Sequence, residues 1–289
     1  MDKTKAVLSP EFGNYTRKKL IVKICIYGGL IFLSITMLMP FAWMISSSLK
    51  PDLEVFRFPV QWIPANPLWS NYVEIWELIP LATFFRNTII LTVVITSLQV
   101  ITSSFAAYGF SRLQWKGRDV IFMAYIGTIA VPWQAFMIPQ FIMMRNFGLV
   151  DTLWSMILLQ SFSAFGVFLM RQYFLSIPEE LSEASRMDGL SEYGIYARII
   201  LPLTKPDIAT LTILTATFVW NDFMGPLIYL SSQQNMTIQI GLRMFVRLHS
   251  SMYSFIMAGS VLSILPLAVM YFVAQRYFIE GIAVSGLKG

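Results

Sequence analysis

Charge-free stretches constrain this chain more than any other feature. No Asp, Glu, Lys or Arg occurs in residues 24–49, 87–111, 120–144, 152–170 or 248–275. A further apolar region, between Asp207 and Arg243, is interrupted only by Asp222. An α-helix rises about 1.5 Å per residue, so about 20 apolar residues cross a hydrocarbon core about 30 Å thick. Backbone facing lipid must satisfy its own hydrogen bonds, which favours helices over open strands. The chain therefore reads as all-α: a polytopic membrane protein with six transmembrane helices, at about 22–46, 85–111, 118–139, 152–174, 207–230 and 254–278. Residues 1–21 read as a cytoplasmic N-terminal segment and 22–289 as one transmembrane domain. Composition agrees, because 13% of the residues are charged against about 25% in soluble proteins.

Basic residues orient these spans. With the N-terminus inside, the inner segments hold 15 of the 21 Lys and Arg, among them Lys3, Lys5, Arg17, Arg112, Lys116, Arg171, Arg186 and Lys205. Cytoplasmic loops carry such an excess, so both termini are expected in the cytoplasm, with residues 175–206 as an inner loop. The net charge of +5 marks those loops rather than a nucleic-acid surface. The apolar run after Lys23 is too long for a signal peptide and reads as a retained first span. A single Cys25 excludes an intramolecular disulfide framework, and a single His249 leaves little imidazole for a metal site. No Gly-x-x-x-x-Gly-Lys-[Ser/Thr] phosphate cradle occurs; Gly281 and Gly286 have its spacing, but Leu287 stands where Lys is needed.

The 175–206 loop has local structure of its own. Ser176 followed by Glu179 has the form of a capping box, which predicts a helix over about 177–188 with Gly189 as its left-handed stop. Leu181, Ala184, Ser185 and Asp188 then share one face, small in its middle. A second helix is expected at about 191–200, ending before Leu201 and Pro202. Two readings follow: a docking element for a partner, or an amphipathic helix lying on the inner leaflet.

Away from the span ends, Asp222 is the only acidic residue in the predicted spans. A carboxylate there is costly and should face water or a partner. With Asn221 beside it as a hydrogen-bonding amide and Trp220 as a flat aromatic face for stacking, it reads as a piece of a substrate path. An interfacial carboxylate is the alternative. Pro132, Pro139 and Pro266 read as kinks, with hinges as the alternative. The segment 47–84, rich in Pro and carrying Trp62, Trp69 and Trp76, reads as an outer interfacial loop or a surface for an external partner; 231–253 is a second such segment.

Glu183-Ala184-Ser185 with Gly189, then nine residues, then Ile199-Ile200-Leu201-Pro202, resembles the signature loop of the inner-membrane subunits of ABC importers, departing at Ser185. Asn87-Thr88-Ile89, Gly148–Thr152, Trp220–Leu227 and the tail Gly281–Gly289 extend the resemblance, which is closest to the carbohydrate-uptake permeases. It implies a non-catalytic translocation subunit for a sugar, in the cell membrane of a bacterium or archaeon. It also implies a second permease as partner, two copies of an ATPase and an external solute-binding protein. Glu183, Ala184, Ser185, Asp188, Gly189, Ile199, Leu201 and Pro202 would couple to the ATPase. ATP and Mg would bind on the ATPase, leaving no cofactor and no metal in this chain. A polyol phosphate or another solute is an alternative cargo. A self-contained secondary transporter fits less well, because no internal repeat is evident.

Overall fold

The computed structural model describes residues 10–246 and 252–286. Lys3, Lys5, Arg247, His249 and the final three residues of the tail lie outside the described residues. Within them every regular element is helical. The order is α1 (Pro10–Ser48), α2 (Asp52–Val55), α3 (Asn71–Leu78), α4 (Leu81–Ser111), α5 (Arg118–Gly127), α6 (Met137–Asn146), α7 (Leu153–Gln160), α8 (Ala164–Ser176), α9 (Glu179–Met187), α10 (Glu192–Ile195), α11 (Leu201–Leu203), α12 (Lys205–Trp220), α13 (Met224–Tyr229), α14 (Ile238–Arg243) and α15 (Tyr253–Gly286).

Three helices are long and apolar enough to cross a membrane unaided, over Val22–Ser48, Leu81–Ser111 and Tyr253–Val273. Two further candidates are bent. α7 and α8 meet at 41°, and the Glu192–Leu203 stretch meets α12 at 78°. The expected continuous span at 118–139 is not formed. α5 ends at Gly127, and two 3₁₀ turns, Thr128–Ala130 and Trp133–Ala135, precede α6. Pro132 is the cause: it lacks an N–H and pushes Val131 out of the helical region, to φ −83°, ψ 116°. The expected span at 207–230 likewise stops at Trp220 and resumes as α13.

α4 is the axis of the fold. Its Leu81 and Phe84 pack with Ile75, Ile238 and Trp220 at one end. Leu91 and Ile95 meet Met156, Ile157 and Tyr229 in the middle. Ala107 and Tyr108 meet Met170, Phe174, Ile195 and Leu211 at the other end. Lipid tails are as apolar as leucine, so such contacts hold through close packing and interhelical hydrogen bonds. Gly241 shows how tight the packing is: a Cβ there would lie 2.3 Å from the Phe84 ring.

A polar stripe runs down the same helix. Thr88, Thr92, Thr96, Gln99 and Ser103 are buried on it. Other polar groups of α4, with Gln99, serve backbone at the ends and breaks of helices. Asn87 Nδ2 donates to Gln234 O at 2.8 Å and Met236 O at 3.0 Å. Gln99 Nε2 donates to Gln160 O at 2.6 Å, and Thr102 Oγ1 to Ser161 O at 2.9 Å. The α7–α8 bend frees those two carbonyls, and α4 supplies the donors that make the break tolerable in an apolar surrounding. α1 is different: it packs chiefly on α15, and residues 22–42 are all exposed, burial beginning only at its C-terminal Ser46–Ser48.

Candidate functional site

Two regions carry the polar chemistry, one beside the middle of α4 and one at its C-terminal end. The first is the 175–206 loop. The capping box does not form. Ser176 remains the last residue of α8, and its Oγ donates to Tyr173 O at 2.8 Å. Ile177 is extended, as a residue before proline should be, and Pro178 precedes α9 without a side-chain cap. Arg112, at the end of α4, takes over. Its guanidinium donates to Phe174 O and, at 2.7 Å, to Ile177 O, and it pairs with Glu179 at 3.4 Å. The terminal carbonyls of α8, orphaned by the chain's turn, thus find a charged donor.

A second bracket closes the loop. Arg186 Nε pairs with Glu192 at 2.8 Å, and Tyr108 OH donates to the other oxygen of Glu192 at 2.7 Å. The Arg186 hydrogen bond holds the Glu192 carboxyl below the usual glutamate range. Gly189 has φ +84°. Leu190 N donates to Ser185 O and Gly189 N to Arg186 O, both at 3.0 Å, which is the Schellman pair that ends a helix through a left-handed residue. The expected stop is therefore present. The expected small outward face is not: Ser185 turns inward with Ser182, while Glu183, Ala184 and Asp188 are exposed. Glu183 has no hydrogen-bond or ion-pair partner among the described residues. Met187, 88% exposed, lies one helical turn from it on α9, and Tyr193 on α10 is 78% exposed. The second helix also runs further than expected, through a π-helical turn at Tyr196–Ile200 and on to Leu203. Ile199 and Leu201 are half-buried there, and Pro202 is exposed.

The second region is a cavity of about 840 Å³ where the 3₁₀ turn at Trp133, α6, α7, α12 and α13 converge. Its polar wall comprises Gln134, Gln140, Gln160, Asn221 and Asp222. Gln140 Oε1 accepts from Trp133 Nε1 at 3.0 Å and Tyr229 OH at 3.4 Å. Asp222 Oδ2 accepts from Gln160 Nε2 at 2.7 Å, and its Oδ1 caps α13 by accepting from Gly225 N at 3.1 Å. One carboxylate thus joins the α7–α8 bend to the gap between α12 and α13. Asn221 is exposed, its Nδ2 on Thr217 O at 2.8 Å.

Trp220 is absent from this wall. It is buried at 4% exposure and donates from Nε1 to Ser263 O at 3.1 Å. The stacking role expected for it is not available, and Trp133, Phe136 and Phe223 offer aromatic faces instead. Sequence reasoning passed over Gln134, Gln140 and Gln160. Their signal was available, as glutamines inside charge-free apolar runs.

Near the cavity, Asp151 fastens the α6–α7 turn to the 230–237 segment. It has φ +62°, and its Oδ1 accepts from Ser231 N at 2.8 Å and Ser232 N at 2.9 Å. Burial pushes its carboxyl up, but the Ser232 and Ser231 N–H groups outweigh that and hold it at about 2. A depressed carboxylate contributes its full stability above the unfolded value of 3.8 and loses it progressively as pH falls from there through about 2, so the clip is intact at neutral pH. Asp151→Ala removes the acceptor of two N–H groups, one exposed and one half-buried, and is expected to cost about 0.5–1.5 kcal/mol. Asp151→Asn keeps an oxygen and tolerates positive φ, so it should cost less. Thermal unfolding of the purified protein orders the three; equal midpoints for wild type and Asp151→Ala would remove the clip.

The family model for binding-protein-dependent transport system inner membrane components matches residues 99–283. The arabinooligosaccharides transport system permease protein AraQ of Halalkalibacterium halodurans is 34% identical over 264 residues, 90% of this chain and 95% of the relative. The lactose transport system permease protein LacG of Rhizobium radiobacter is 30% identical, over 90% of this chain and 94% of the relative. Among solved structures, a chain of a bacterial ABC transporter involved in the import of the acidic polysaccharide alginate superposes with a TM-score of 0.79 at 29% identity, covering 91% of this chain and 98% of that one. The match to the family model and these full-length likenesses agree with the fold: the chain belongs to the inner-membrane components of binding-protein-dependent transport systems.

Proposed function

We propose that this chain forms one side of the translocation path of an ATP-driven sugar importer. One observation carries the proposal. A cavity of amides, aromatics and one carboxylate lies beside the middle of α4, and an arginine-anchored, exposed loop lies at its C-terminal end. α4 packs beside both through continuous core, so a movement at either is felt along one rigid element. In this reading the chain crosses the membrane six times with both termini in the cytoplasm, the bent pairs and the broken α5–α6 segment counting as spans. The α9 loop docks on an ATPase subunit through Glu183, Ala184, Asp188 and Gly189. Ile199, Leu201 and Pro202 shape its exit, and Ser185 seats α9 on the body. ATP and Mg belong to two copies of that ATPase. A second permease completes the cavity, and an external binding protein delivers the sugar to Asn221, Asp222 and the glutamines.

The test is reconstitution. Co-expressed with its neighbouring permease and ATPase, the chain should purify as one complex. ATP hydrolysis by that complex should rise when the sugar-loaded binding protein is added, while the chain alone should neither bind nor hydrolyse ATP. Transport by the chain alone in vesicles would contradict the proposal and favour a self-contained transporter. Asp222→Ala removes both the hydroxyl acceptor and the link to Gln160, and should reduce uptake at least tenfold in complexes that still assemble. Wild-type uptake by assembled Asp222→Ala complexes would make the residue merely structural.

A further inference from the structure

The charge of the cavity wall restricts which sugars it can accept. Asp222 is the only charged residue among those lining it. Both of its oxygens accept from neutral donors, Gln160 Nε2 and Gly225 N, and among the described residues it forms no salt bridge. The Arg243 guanidinium lies 5.4 Å from the ring centroid of Phe223, a lining residue, but Arg243 is itself exposed and outside the lining. The wall therefore presents a carboxylate without a countercharge, in a space bounded mainly by apolar surface.

Such a wall suits a neutral ring. Hydroxyls donate to the Asp222 oxygens, and the amides of Gln134, Gln140 and Asn221 offer donors and acceptors. Trp133, Phe136 and Phe223 cover the C–H faces. A uronate ring brings a second carboxylate. No guanidinium or ammonium on the wall can receive it, and like charges a few ångströms apart at reduced dielectric repel strongly.

We propose that this wall selects neutral glycans against uronic-acid-bearing ones, with Asp222 as the discriminating residue. The inference rests on the cavity being a sugar site, as proposed above. Asn at position 222 is the informative change. Its Oδ1 keeps the Gly225 N–H, and its Nδ2 can donate to Gln160 Oε1, which is buried without a partner in this structure, once that amide turns over. Charge is removed while the connection between the helices is kept.

The experiment titrates the assembled complex, in lipid nanodiscs, with three probes followed by saturation-transfer NMR. They are cellotetraose, tetragalacturonate and the fully methyl-esterified tetragalacturonate, which has the same rings without the charge. Wild type should bind the ester on the order of tenfold to a hundredfold more tightly than the acid. Asp222→Asn should bring the two within about threefold, and Asp222→Glu should keep the wild-type ratio. Equal binding of ester and acid by wild type overturns the inference and leaves the cavity reading standing. So does a ratio that Asp222→Asn does not change. Failure of all three probes to bind overturns the cavity reading, and this inference with it.

Discussion

Gly189→Val is expected to reach the membrane at wild-type abundance, yet to lose at least tenfold in sugar uptake and in the stimulation of ATP hydrolysis by loaded binding protein. A Cβ at this position meets nothing within 4 Å, so the substitution introduces no clash. Its cost is the backbone at φ +84°, where a β-branched side chain is strained by about 1–2 kcal/mol. That is small against the packing of the whole helical core. It is large against the few kcal/mol that fix the pitch of a nine-residue helix, α9, on its docking surface. The Schellman bonds from Leu190 and Gly189 would open, and Glu183 and Met187 would no longer be held at the pitch that α9 gives them. Glu183→Ala tests the same surface by its charge and should show the same phenotype more weakly. Membrane abundance, ATPase retention on purification and transport rate are measured side by side. Wild-type transport by both variants would reduce α9 to a helix resting on the lipid surface.

Arg112→Ala is expected to act one step earlier. The Arg112 side chain is 2% exposed and serves two carbonyls and a carboxylate. Removing it strands the Phe174 and Ile177 carbonyls and leaves the half-exposed Glu179 with Arg186 alone, a loss of about 1–3 kcal/mol for the stranded acceptors. The loop would then lose its attachment to α4, so both ATPase retention and membrane abundance should fall. Arg112→Lys keeps the charge but not the fork that reaches several acceptors at once, and should fall between. The order wild type, Lys, Ala in ATPase retention is the readout. An Arg112→Ala complex as stable as wild type would show that the carbonyls find other donors.

Much of this architecture is readable from local pattern. The charge-free runs locate α4 and α15, because length and hydropathy suffice where a helix is unbroken. Gly189 is legible because few residues other than glycine tolerate the left-handed region. The breaks are harder. Pro132 announces one, but the α7–α8 bend at Ser161–Ser163 contains neither Gly nor Pro, and its donors Gln99 and Thr102 lie 61 and 59 residues away. Arg112 counted in the sequence only as an inner basic charge, and its work as a cap depends on carbonyls 62 and 65 positions later. Trp220 failed for a geometric reason. One residue along a helix turns the side chain by about 100°, so the neighbour of a cavity residue can point into the core. The cavity glutamines were visible as residue types, but three separate segments had to converge before they formed a wall.

α1 has a consequence for divergence. Within this chain it answers chiefly to α15, and its side chains over residues 22–42 are exposed. What is required of positions 22–42 is affinity for hydrocarbon rather than a particular shape. Leucine, isoleucine, phenylalanine and methionine are there nearly interchangeable, whereas the residues facing α4 are fixed by close fit. Over evolutionary time this helix should drift fastest among the spans, and a foreign apolar helix of equal length should replace it with little loss.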